Sequence, residues 1–168
     1  MDPTDIGLRI VGAFYAFAGV VATRAAITSS MLDRALAQIS AKKAPLHETA
    51  QTAWLIIASL IVLWGGAALM LRLDIAVWLF LASAILQAFY IFIVAPRWFD
   101  VEDPPDVGGR QRTTNAFTIY LAATALVVWA FTTGRLFRAE QLPTPALLGT
   151  ASTLLLYVGY VVWMLIKR

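Results

Sequence analysis

Few side chains in this sequence have the types and spacing that chemistry needs. The densest group is acidic. Asp100, Glu102, Asp103 and Asp106 fall within "FDVEDPPDVGGRQRTTN" (residues 99–115), four of the ten acids in the chain. Carboxylate oxygens are what calcium and magnesium bind. The glycine and the closing glutamate are not where an EF-hand loop needs them, however. The four acids are therefore read as a contact surface for a partner, carried on a polar loop over 96–115. His47 beside Glu48 is an acid–base pair by type only, because neighbours on a helix point apart and no nucleophile motif is near. Thr49 or His47 is expected to cap the helix that follows. Gln87 is different: an amide in the middle of an apolar run must find a partner, inside this chain or in another.

What is missing narrows the chemistry further. The chain has no cysteine, which removes disulfides, thiolate metal sites and iron–sulfur clusters. One histidine cannot supply the paired ligands of a b-type haem or a His-rich zinc or copper site. No Asp, Glu, Lys or His falls in the middle of an apolar run, and ionisable groups at membrane depth are what proton relays and ion pathways use. The expectation is a protein without cofactor, metal or catalytic constellation.

The elements that carry these residues are oily. Hydrophobic residues make up 60% of the 168 and charged residues 14%, against roughly 45–50% and 25% in soluble domains. Mean hydropathy is +0.75. A hydrocarbon core of about 30 Å takes roughly 17–25 helical residues to cross. Runs 53–71, 75–95, 116–133 and 146–166 meet that length, and 10–26 meets it with Arg9 and Arg24 reaching to opposite interfaces. A cleaved signal peptide fits 10–26 poorly, since Asp2 and Asp5 precede it with a single arginine. After it, residues 27–43 place Ile27, Met31, Leu32, Ala35, Leu36 and Ile39 on one side and Ser29, Ser30, Asp33 and Arg34 on the other. That spacing predicts an amphipathic helix at the membrane surface or under the bundle.

With five spans, nine Lys and Arg residues fall on one side and Arg9, Arg72, Arg135 and Arg138 on the other. The positive-inside rule makes the first side cytoplasmic, the N-terminus outside and the C-terminus inside. Arg24, Arg97, Arg110, Arg112, Trp54, Trp98 and Trp163 would anchor the cytoplasmic interface, with Trp78 at the opposite one. The basic residues are scattered, so nucleic-acid binding is not expected despite a pI near 9.5. "ASLIVLW" (58–64) resembles "ATALVVW" (123–129), and "ASAIL" (82–86) resembles "ASTLL" (151–155). These echoes predict two hairpins packed as a four-helix bundle, with the first span at its side. Gly65-Gly66-Ala67-Ala68, Gly12 with Ala16, and Gly149 would let helices approach closely.

Six Trp residues and five spans resemble, in length and helix count, the tryptophan-rich sensory proteins that bind porphyrin and cholesterol. Their Trp- and Pro-rich first loop has no counterpart here, so neither ligand nor site residues carry over. The functional expectation is an all-α, multi-pass inner-membrane protein acting as a non-catalytic accessory or assembly subunit, in contact with lipids and with other integral subunits or itself. The alternative is a homo-oligomeric channel or facilitator for an uncharged solute, lined by Ser, Thr, Gln and Tyr.

Overall fold

The computed structural model describes residues 2–39, 46–99 and 107–167, and every element longer than one turn among them is a helix. Helix α1 is Pro3–Ile39, α2 Leu46–Met70, α3 Ile75–Phe89, α4 Val107–Thr132 and α5 Thr144–Ile166. Helix α3 continues without a break into ten residues of wider π-helix, Tyr90–Phe99, with Pro96 inside it. Five segments are long and apolar enough to cross a membrane: Pro3–Leu32, Ala50–Met70, Ile75–Arg97, Gly108–Thr132 and Thr144–Ile166.

Three boundaries differ from those expected. The separate amphipathic helix over 27–43 is not formed; its described part is the end of α1, whose 37 residues extend about 55 Å at 1.5 Å per residue. No glycine or proline between Val20 and Ile39 interrupts it, and Ala26 and Ile27 pack against Ile56 and Val161. Ser30, expected on the polar side, is buried and donates to the Ile27 carbonyl at 3.0 Å, while Met31 and Leu32 are exposed. Residues 96–115 are likewise not one loop. The π-helix runs to Phe99 and α4 begins at Val107, with Thr113 and Thr114 donating to the carbonyls of Gly109 and Arg110. Gly108-Gly109 read as loop, but helix is the backbone's way of satisfying its own polar groups near an apolar phase. Helix α2 starts at Leu46, so His47 and Thr49 lie within its first turn rather than capping it.

The arrangement also differs from two hairpins with a side helix. Helices α1 and α2 form the most extensive pair, and α3 and α4 follow in sequence order, each packed on the one before. Gly12 and Gly19 on α1, with Gly66 on α2, allow this approach. A Cβ on Gly12 would stand 2.5 Å from the Met70 nitrogen, and one on Gly19 2.7 Å from the Leu63 Cα. A Cβ on Gly66 would strike the backbone of Ala16, with the Gly12 oxygen 2.7 Å away. One step further along the same contact, Thr23 and Ser59, both buried, share a hydrogen bond of 2.7 Å across the helices. Helix α4 closes the group through large rings rather than small residues: Tyr15 meets Phe80 edge-on at 5.4 Å and Tyr120 at 5.3 Å. Phe80 and Tyr120 stack 2° from parallel. Helix α5 is the outlier. Its one buried residue is Val161, and its Tyr157 hydroxyl donates to the Val20 carbonyl at 3.3 Å.

Candidate functional site

Charge gathers at the end of the bundle where the N-terminus, the α2–α3 turn and the α4–α5 link meet. Helices α2 and α4 end alike there. Leu73 N–H donates to the Ala68 carbonyl and Arg72 N–H to that of Leu69, while Arg135 and Gly134 repeat the pattern onto Ala130 and Phe131. Each is the double bond of a Schellman cap, which calls for a left-handed residue. Gly134 supplies it at φ 69° and Arg72 at φ 60°. The strained Arg72 also has a highly connected side chain. Its Nε and Nη2 donate to the Arg135 carbonyl at 3.1 and 2.7 Å, and its Nη1 to Asp5 Oδ2 at 2.7 Å. Its guanidinium lies 4.5 Å over the Phe137 ring. Arg135 in turn bonds Asp2 at 2.5 Å. That guanidinium, helped by the Thr4 N–H, holds the exposed Asp2 carboxyl below its ordinary range. Phe137 completes the tie, donating to the Arg72 carbonyl and accepting from the Asp74 N–H. The cluster is small and bonded within itself, a clamp across three segments of the chain.

Past the aromatic layer the bundle opens. A cavity of about 290 Å³ lies between α2, α3 and α4, with Ala22 of α1 at one edge. Trp54, Ala58, Ser59 and Val62 face it from α2, Gln87, Tyr90 and Ile91 from α3 and the π-helix, and Thr113 from α4. Gln51 donates to the Tyr90 hydroxyl at 3.2 Å, and the Trp54 and Tyr90 rings stack at 6.2 Å. Among the described residues no charged side chain lines the space. Gln87 donates to Ser83 Oγ at 2.9 Å, one turn back on its own helix.

The residues singled out in the sequence are therefore dispersed. Gln87 and Trp54 both line the cavity. Gly66 meets α1, and Gly65 faces Phe80, whose ring carbon would stand 3.2 Å from an added Cβ. Arg24, Arg97, Arg110 and Arg112 are exposed, and Trp163 is 54% exposed under the Lys167 ammonium, 4.5 Å away. The Trp98 side chain, those of His47 and Glu48, and the whole of Asp100, Glu102, Asp103 and Asp106 lie outside the described residues. Among the described residues no three His, Asp or Glu side chains come together as a metal site would require. Sequence reasoning missed the clamp. Five spans put Asp2, Asp5, Arg72 and Arg135 on one face, and that shared face was the available signal. Comparison with protein-family models, with curated proteins and with solved structures finds no match.

Proposed function

We propose that this chain is a non-catalytic accessory or assembly subunit of an inner-membrane complex, and that α5 is its docking helix. The observation that carries the reading is the imbalance of burial. Only 6% of the α5 span is buried in the molecule, against 28 to 39% of the other four. A shallow groove on its outer side is lined by Ser152, Leu156, Gly159, Tyr160 and Trp163. Among the described residues, and apart from the backbone of α5 itself, nothing comes within 4 Å of a Cβ added at Gly149 or Gly159. Small residues that relieve no internal crowding suit approach by a helix from another subunit. The nine-to-four division of Lys and Arg supports an N-terminus outside and a C-terminus in the cytoplasm. The acids Asp100, Glu102, Asp103 and Asp106 then fall on the cytoplasmic side, suited to a basic patch of the same partner.

The facilitator reading has less behind it. Hydroxyls that would line a pore are turned back on their own helices: Thr23 to Gly19, Thr124 to Tyr120 and Thr153 to Gly149. Purification in mild detergent at native expression, with mass spectrometry of whatever co-migrates, tests the proposal. A large complex is expected, and Ser152→Leu with Gly159→Leu should release the chain from it without lowering its melting temperature. A ladder of homo-oligomers that makes liposomes permeable would support the facilitator instead.

A further inference from the structure

The cavity between α2, α3 and α4 is independent of the α5 groove, and its chemistry is specific. Gln87 is half-buried and carries two N–H donors and an acceptor oxygen. One N–H goes to Ser83; the other N–H and Oε1 have no partner among the described residues. The hydroxyls are engaged: Ser59 with Thr23 and the Ile56 carbonyl, Thr113 with the Gly109 carbonyl, and Tyr90 as acceptor from Gln51. An amide left open in an apolar phase is costly unless something completes its bonds. Among the described residues Gln87 is thus an open polar handle in a largely apolar space.

We propose that this cavity binds a neutral, lipid-soluble ring bearing a carbonyl or hydroxyl, of the quinone or quinol type. Neutrality follows from the lining, which among the described residues holds no charged side chain to answer an ion. Ring shape follows from the wall: Trp54 and Tyr90, 27° from parallel, give a flat surface for offset stacking. Size agrees as well. A cavity of about 150 Å³ accepts benzene, so about 290 Å³ holds one substituted ring and the start of a tail, and is small for a larger polycycle. The free N–H of Gln87 donates to a ring carbonyl, and Oε1 accepts from a ring hydroxyl, so one amide serves either form.

The test is a titration of decyl-benzoquinone into the protein in phosphatidylcholine nanodiscs, read as tryptophan quenching. A saturable component is expected on top of the linear quench from partitioning. Gln87→Leu should weaken it about tenfold, the worth of one hydrogen bond, and Ala58→Phe should abolish it by filling the space. A measurement without variants guards against misfolding. The quinol should displace the quinone, whereas decylbenzene, with ring and tail but no oxygen, should displace it at least tenfold more weakly. A purely linear quench, equal displacement by decylbenzene, or an unchanged affinity in a folded Gln87→Leu protein would each overturn the proposal.

Discussion

Arg72 concentrates the cost and the benefit of this fold in one residue. A non-glycine side chain in the left-handed region loses roughly 1–2 kcal/mol, yet a charge-assisted hydrogen bond returns roughly 1.5–3 kcal/mol. The Arg72 and Asp5 side chains are only 11% and 20% exposed, so solvent screens the pair weakly. Arg72→Gly should relieve the strain and lose the clamp, for a net loss of about 1–2 kcal/mol. Arg72→Ala keeps the strain and also loses the clamp, so it should melt lower than Arg72→Gly in the same detergent; the reverse order would mean that φ strain is unimportant here. Asp2 gives a pH signature. Its carboxyl is held below the usual range in the folded state, so its contribution is present above the unfolded value, about 3.9, and fades as pH falls through the folded one. The gap in melting temperature between wild type and Asp2→Asn should therefore be open at pH 7, shrink below about pH 4, and narrow with salt because the pair is exposed.

At the scale of helices, α1 and α2 are joined by backbone proximity. Gly66→Ala should already be destabilising, because the atoms it meets belong to the Ala16 and Gly12 backbones, which cannot swing aside as a side-chain end would. A loss on the order of 1–3 kcal/mol is expected from overpacking, read by denaturation in mixed micelles. Gly149→Ala and Gly159→Ala, with open space around them, should leave the isolated protein unchanged; equal effects at all three positions would remove the distinction. The Thr23–Ser59 bond contributes less. A double-mutant cycle with Thr23→Val and Ser59→Ala should give a coupling of about 0.6 kcal/mol, the usual scale for such bonds within a membrane.

For the whole molecule, the clamp ties the N-terminus, the α2–α3 turn and the α4–α5 link to one end of the bundle. That geometry requires an even number of crossings, four, between the N-terminus and the α4–α5 link, and α5 adds a fifth. Reporter fusions should place the N-terminus outside and the C-terminus in the cytoplasm, and both ends on the same side would sink the five-span arrangement. The weak attachment of α5 makes a second prediction. A chain ending after Arg138 retains the clamp residues and the aromatic layer, so α1–α4 should keep their helicity and protease resistance with only a modest fall in melting temperature. Unfolding of the truncated chain would instead make α5 a structural helix and weaken its role in docking.

Hydrophobic length is a property of consecutive residues, and for that reason the all-helical character and five apolar spans could be read from the sequence alone. The prominence of Gln87 was legible on the same terms, since a lone amide stands out in an apolar run. Proximity between distant residues is another kind of property. Nothing local in "LRL" at 71–73 marks Arg72 as the partner of Asp5, 67 positions earlier, or distinguishes Gly66, against a neighbouring backbone, from Gly159, against open space. The expected two-hairpin bundle failed on this point: similar apolar strings in α2–α3 and α4–α5 carry no record of which helices touch. Tertiary packing made α1 and α2 the closest pair because small residues on both let their backbones approach. It left α5 mostly outside, held by Val161 against Ala26, Ile27 and Ile56 and by the Tyr157 bond to Val20, contacts that no local string in the sequence records.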